Sequence, residues 1–317
     1  MSRESGRGEA MAKDSGIQWT THTFNPWWGC EKVSEACKNC YAESFAKRVG
    51  EKVWGGDDTA RRMFGDKHWA EPLKWARAAE KAGERHRVFC ASMADVFEDR
   101  RDIDAARARL WALIEATPAL DWLLLSKRWG TADIPAMVPP EWSDGWPENV
   151  WVGATVENQE RAEERIPALG KVPAAIHFLS MEPLLGPVDL GFGVASPNPV
   201  CISGEQAPAI ALVDWLILGG ESGVRARPLS LDWMRSLLAQ GRRAGVAVFV
   251  KQFGEQAYDE QNGIAYHGKR IEAVEDGMVK VRRVSLVDRH GGEPEEWPED
   301  LRVREMPMVE NERSERR

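Results

Sequence analysis

Residues 121–128 read DWLLLSKR: a short branched and aromatic run that stops abruptly in Ser126, Lys127 and Arg128. A run this apolar fits a strand covered on both faces, as in a parallel sheet. The same shape recurs in IQWTTHTF (17–24), RVFCASM (87–93), VWVGATVE (150–157), AIHFLSMEP (175–183), DWLILGGES (214–222) and VAVFVKQ (246–252). Helical stretches lie between them: EPLKWARAAEKAG (71–83), DIDAARARLWALIEATP (102–118), ENQERAEERIPAL (157–169) and SLDWMRSLLAQGRRAG (230–245). In the last, Ser230 or Asp232 caps the start, and basic residues with Gly close the end.

Strands alternating with helices predict an α/β fold with right-handed crossovers. A doubly wound sheet needs polar strand ends only at its switch point. Here nearly every run ends in them: Ser92 and Asp95, Ser126 to Arg128, Thr155 and Glu157, Ser180 and Glu182, Glu221 and Ser222, Lys251 and Gln252. In a barrel all such ends meet at one mouth. The expectation is a partial (β/α) barrel of about six or seven parallel strands over residues 17–254. A polar C-terminal extension, 255–317, follows. In it HGKRIEAVEDGMVKVRRV (267–284) is expected as a small β-meander, GGEPEEWPEDLRVREMP (291–307) as an extended wrap, and ENERSERR (310–317) as a disordered tail. Residues 1–16 are expected as a disordered lead-in. Residues 49–70, 139–149 and 186–210 interrupt the alternation as long loops.

The 317 residues are 43% hydrophobic, enough for a substantial core, and carry a net charge of −8. That charge gives no overall signature of a nucleic-acid binder. Local basic pairs remain at Arg61-Arg62, Lys127-Arg128 and Arg242-Arg243. Fifteen Trp against three Tyr supply core, pocket walls or stacking surfaces. No run resembles a signal peptide or membrane span, so a cytoplasmic protein without a membrane partner is expected. In a reducing compartment, clustered cysteines argue for metal or redox chemistry.

The cluster is Cys30, Cys37 and Cys40, spaced C-x6-C-x2-C within NPWWGCEKVSEACKNCYAESFAKR (25–48). It follows the first strand and precedes a helix expected to begin near Tyr41. Three readings stand. The thiols are unligated, or they hold structural zinc with Cys201, His22 or His68 as fourth ligand. The zinc reading implies a zinc-stabilised nucleic-acid-binding module without catalysis. The third reading is a 4Fe–4S cluster with one iron left open for a small molecule. Cys90, inside a strand, reads as a small buried apolar residue. Cys201 is a loop thiol, idle or a hydrogen donor.

A three-cysteine cluster on the first loop of a partial barrel resembles the radical S-adenosylmethionine superfamily. The usual first gap is shorter, and Asn39 stands where an aromatic residue is usual, while Tyr41 follows the last Cys. Within that superfamily the chain is similar to a phage- and bacteria-associated family of uncharacterised function. The shared marks are NPWWGCEKVSEACKNCYAE, SMADVF, LLLSKR, VWVGATVEN, FLSMEPL, LILGGESG, VFVKQFG and GGEPEEWPEDLRVREMP, between Ser15 and Pro307. A more distant likeness is to spore photoproduct lyase, which acts on thymine lesions in DNA.

The resemblance implies a 4Fe–4S cluster on Cys30, Cys37 and Cys40, and S-adenosylmethionine chelated at the open iron. It implies a one-electron donor such as flavodoxin or ferredoxin. Reductive cleavage would give a 5′-deoxyadenosyl radical that removes hydrogen from a substrate, with a nucleobase or modified nucleotide in DNA or RNA favoured. On this model Ser92 to Asp95 contact the methionyl amino group, and Lys127 or Arg128 the carboxylate. Thr155, Glu157, Ser180 and Glu182 bond the ribose or position substrate. Gly219 and Gly220 admit the cofactor close to backbone, and Glu221 points into the mouth. Glu182, Glu221, Lys251 and Cys201 are the catalytic candidates. Blander roles compete: Asp95 as a turn cap, Lys127-Arg128 as a solvated pair, Glu157 as a helix N-cap, GGES as a plain turn.

Overall fold

The computed structural model describes residues 16–191, 201–202, 205–223, 225–266, 282–284, 286–288 and 290–308. The expected lead-in, the tail, most of the expected meander and the Cys201 side chain lie outside the described residues.

Seven strands form one sheet: β1 (His22–Thr23), β2 (His86–Cys90), β3 (Leu120–Ser126), β4 (Val150–Thr155), β5 (Ile176–Met181), β6 (Trp215–Gly219) and β7 (Ala247–Gln252). The pairs β1/β2, β2/β3, β5/β6 and β6/β7 are parallel. Strand order in the sheet equals strand order in the chain from edge to edge. The order never reverses, so the sheet has no switch point. This is the α/β architecture of a partial (β/α) barrel. Polar residues close the strands or follow them directly: Ser126, Thr155 and Gln252 are the last residues of β3, β4 and β7, while Ser92, Lys127, Glu157, Glu182 and Glu221 lie just beyond a strand end. Only two residues of the expected first strand join the sheet.

The helices of two turns or more among the described residues are α1 (Tyr41–Arg48), α2 (Glu71–Ala82), α3 (Asp104–Glu115), α4 (Gln159–Leu169) and α5 (Leu231–Ala244), with a single turn at Asp66–Trp69 before α2. Gly245 closes α5 at φ +69°, the left-handed conformation that glycine adopts freely. Ser230 caps α5, accepting the Asp232 N–H, while the Asp232 carboxylate pairs with Arg235. Asn158 caps α4, accepting the Arg161 N–H. The N-cap role considered for Glu157 therefore belongs to its neighbour.

The chain divides into two compact units. The first comprises residues 1–32, 42–152 and 172–175 and carries β1 to β3, the start of β4, and α1 to α3. Its core is aromatic. Phe24 meets Trp69, Trp75 and Trp122 edge to face. Phe97 packs against Trp111, Trp129 and Trp146. Most of the Trp content is thus core.

The second unit comprises residues 33–41, 153–171 and 176–317. Trp215, Phe178, Phe253 and Trp297 are buried in it. The extended C-terminal segment covers the free edge of β7: Val250 N–H donates to Val303 O at 2.8 Å, and Glu305 N–H to Val248 O at 2.9 Å. Pairing this edge removes a row of open backbone groups. Trp297 anchors the wrap by stacking on Phe253 at 4.8 Å. A small sheet runs Leu229–Ser230, Ala257–Asp259, Ile264–Tyr266, Arg282–Val284, with the middle pair antiparallel and the outer pairs parallel. It begins well before the expected meander. No helix among the described residues is long and apolar enough to cross a membrane.

Candidate functional site

The cysteine segment is divided between the units, Cys30 in the first and Cys37 and Cys40 in the second. Each cysteine adjoins, in sequence, a residue gripped by a carboxylate, and each carboxylate is held by arginine.

At Cys30 the backbone is fixed from both sides. Gly29 has φ +119°, and a Cβ there would lie 2.2 Å from Val53 O, so only glycine fits before the cysteine. Glu31 N–H donates to Glu98 Oε1 at 3.0 Å. Glu98 is clamped by Arg61 through Nε–Oε2 at 3.0 Å and Nη2–Oε1 at 2.6 Å. Arg61 also donates to the carbonyls of Val53, Gly55 and Thr59. Arg128 reaches the same place from the end of β3. Its Nη2 lies 3.3 Å from Glu31 O, 3.4 Å from Glu98 Oε1 and 3.9 Å from Cys30 Sγ. Burial works to lower the Arg128 pKa, but Asp95, Cys30 and Glu98 outweigh it and raise it.

The polar end of β2 is tied inward. Asp95 accepts from Phe97 N–H, Ser126 Oγ and Lys127 N–H. Ser92 Oγ accepts from Asn25 Nδ2 at 3.1 Å, and Asn25 Oδ1 accepts Met93 N–H at 2.7 Å. Lys127 is half-buried, and among the described residues its ammonium makes no hydrogen bond or ion pair.

In the second unit a single turn of 3-10 helix, Glu35–Cys37, carries the second cysteine. Ala36 N–H donates to Glu157 Oε1 at 3.3 Å, and Arg165 Nη1 holds Glu157 Oε2 at 2.9 Å. Both side chains are buried to within 1%. Arg165 Nη1 also donates to Thr155 O. Burial dominates at Arg165 and lowers its pKa despite Glu157. Thr155 and Ser34 bury hydroxyls without a partner, and an unsatisfied buried hydroxyl is a place for a ligand or water.

Next to Cys40, Asn39 Nδ2 donates to Glu221 Oε2 at 3.0 Å and to Arg225 O at 2.8 Å. Arg227 grips Glu221 through Nε at 2.9 Å and Nη2 at 2.6 Å, and its Nη1 donates to Glu35 O. Burial pushes the Glu221 carboxyl up, but the hydrogen bonds from Arg227 and Asn39 prevail and hold it below the ordinary carboxylate range. Asn39 thus ties the cysteine segment to Glu221 and to the Arg225 carbonyl through its amide.

Glu182 receives Lys251 Nζ on both oxygens, at 2.8 and 2.7 Å, and Gln252 Nε2 at 2.7 Å. Gly219 and Gly220 face protein. A Cβ on Gly219 would meet Glu182, and one on Gly220 would lie 2.0 Å from Phe253 O. Ser180 is buried, and its carbonyl accepts Val156 N–H. A cavity of about 420 Å³, within the range of small-molecule sites, is lined by Glu35, Lys38, Leu185, Arg227, Pro228 and Trp233.

The donor set suits a soft metal group. Cys30, Cys37 and Cys40 are half-buried and outside any disulfide, whereas burial pushes the Cys90 thiol far up. His22 and His68, the considered fourth zinc ligands, are occupied. His22 Nε2 meets His86 Nδ1 and stacks on Trp75; His68 Nε2 meets Asn25 O. Among the described residues no three His, Cys, Asp or Glu side chains are already gathered as a metal site. Sequence reasoning missed Glu98, Arg165 and Arg227, and read Arg61 only as half of a local basic pair, whereas it clamps Glu98. Arg165 carried a signal: it falls on the α4 face of Ala162, Ile166 and Leu169, where a charge is out of place.

A family model described as "Protein of unknown function (DUF5131)" matches residues 14–293. No curated protein matches the chain. Among solved structures, a cysteine-to-serine mutant of spore photoproduct lyase aligns at 16% identity and a TM-score of 0.39. The alignment covers 55% of this chain and 49% of that one, so the chain spans about half of that protein's length.

Proposed function

This chain belongs to the DUF5131 family, and on that premise we propose that it is a radical S-adenosylmethionine enzyme. Cys30, Cys37 and Cys40 would hold a 4Fe–4S cluster, with the fourth position left to S-adenosylmethionine. The observation that carries the reading is the repeated clamp: the neighbour of every motif cysteine is bound by a carboxylate that arginine holds. A cysteine loop fixed at three points fits a ligand-holding segment better than simple packing. When bound, the two groups supply reductive cleavage to a 5′-deoxyadenosyl radical.

The protein's own groups divide the remaining work. Lys127, with its ammonium unengaged, is assigned the methionyl carboxylate. The backbone carbonyls near Ser92 take the ammonium, since both Asp95 oxygens are already used. Thr155 offers its unpartnered hydroxyl. The Glu182–Lys251 pair is the candidate for holding or moving a proton. The substrate is assigned to the cavity beside Cys37, where Trp233 supplies a stacking face and Lys38 a positive charge, as a nucleobase or modified nucleotide in DNA or RNA requires. The electron donor is assigned to the flavodoxin or ferredoxin class, in the cytoplasm.

The test is anaerobic reconstitution with iron and sulfide, then reduction with S-adenosylmethionine present. The expected result is a visible charge-transfer absorbance and 5′-deoxyadenosine. Stoichiometric zinc in anaerobically purified protein, with neither signal, overturns the reading in favour of a non-catalytic zinc module.

A further inference from the structure

We propose that Arg128 is a positioning residue for Cys30: its guanidinium offsets the negative charge of the metal-bound thiolate and raises the potential at which the bound group accepts an electron. The inference rests on the function proposed above. It assigns Arg128 a different task from the cofactor-carboxylate contact implied by the family resemblance.

The argument begins with what Arg128 is not needed for. Glu98 is satisfied by Arg61 on both oxygens and by Glu31 N–H. Asp95 is satisfied by Phe97, Ser126 and Lys127. Arg128 reaches these carboxylates only at 3.4 and 3.7 Å. Its side chain is 11% exposed, and its Nε is buried without a hydrogen-bond partner. A buried guanidinium this poorly satisfied is costly unless further negative charge is at hand. Its shortest contact, from Nη2 to Glu31 O at 3.3 Å, is to a neutral carbonyl. Beyond the two carboxylates the further acceptor in reach is Cys30 Sγ at 3.9 Å. Arg165 and Arg227 differ in how closely they are engaged: they meet their carboxylates at 2.9 and 2.6 Å, whereas no side-chain contact of Arg128 is shorter than 3.3 Å. Charge and hydrogen bonds near thiolate ligands set the potential of an iron–sulfur group. Removing a positive charge makes adding an electron harder.

The experiment measures the midpoint potential of reconstituted protein by a spectroscopically monitored redox titration, with iron content in parallel. Arg128→Gln should lower the reduced-to-oxidised ratio at the wild-type midpoint about tenfold, which is about 59 mV for a one-electron couple. Arg128→Lys, which keeps the charge, should restore most of it. Glu98→Gln, which removes a negative charge, should shift the midpoint upward. A merely structural role produces no such reversal of sign, and this variant still decides the matter if Arg128→Gln does not fold. Unchanged midpoints at full iron content overturn the inference and leave the proposed function standing. A wild-type protein that takes up no cluster overturns the function itself. The inference, which needs a bound group that accepts an electron, then falls with it.

Discussion

The clamp beside Cys30 and the clamp beside Cys40 use the same chemistry in different surroundings. Arg61 and Glu98 are 0% and 2% exposed, and Arg61 is further bound by three carbonyls. Arg227 is 24% exposed, and it also lines the cavity of the second unit. A fully buried ion pair contributes little net stability over an apolar replacement, but losing one partner strands a charge. A partly open pair lets water compensate, so it can be loosened or exchanged. The Cys30 end is therefore a rigid anchor. The Cys40 end is an adjustable one, placed where a ligand in the cavity can touch it.

The largest expected effect breaks the rigid end. Arg61→Met leaves Glu98 without its main partner and should destabilise the fold by about 3–5 kcal/mol. Chemical denaturation of the metal-free protein measures this. Arg227→Met, at the open end, should cost about 1 kcal/mol or less. Equal losses at the two ends would remove the distinction between them.

A second, smaller effect concerns metal retention. Asn39→Ala removes the amide that ties the segment to Glu221 and Arg225. Loss of a residue supporting a metal ligand typically weakens affinity about 10- to 100-fold. The variant should lose iron to a chelator at least about tenfold faster than wild type, with its denaturation midpoint little changed. Retention equal to wild type would show that Glu221 grips nothing the metal needs.

The contrast also explains what was legible in the sequence. DWLLLSKR and its six companions announced a parallel sheet because burial on both faces writes a continuous apolar run. Their polar tails announced a barrel order, which the chain-order sheet carries. Several runs overshoot their strands by a few polar residues, as 150–157 overshoots the strand ending at Thr155, whereas 246–252 matches its strand almost throughout. The cysteine cluster stands out in the sequence by its spacing. Its clamps do not: Glu31 and Glu98 are far apart in the chain, and only the fold sets Glu98 beside the Glu31 N–H. The roles foreseen for Glu157 and Glu221 were direct cofactor contacts. In the structure both carboxylates are engaged by the cysteine segment, a pairing that no local pattern encodes. Gly219 and Gly220 suggested space for a ligand, whereas their missing side chains make room for Glu182 and Phe253.

The smallest expected effect tests the open end by titration. Hydrogen bonds from Arg227 and Asn39 hold the folded Glu221 carboxyl below its ordinary value of 4.5. A carboxyl depressed in this way stabilises the fold fully above its unfolded value. That contribution is lost as the pH falls through the lower, folded value. Wild type and Glu221→Gln, both metal-free, should therefore differ in melting temperature by a few degrees at neutral pH. The difference should shrink below pH 4.5 and vanish once Glu221 is protonated in the folded protein. Arg227→Met should flatten the same dependence, because it removes the main donor that depresses the carboxyl. A wild-type advantage that persists undiminished into acid would mean that the Glu221 charge contributes nothing to the clamp, and that shape alone holds the Cys40 end.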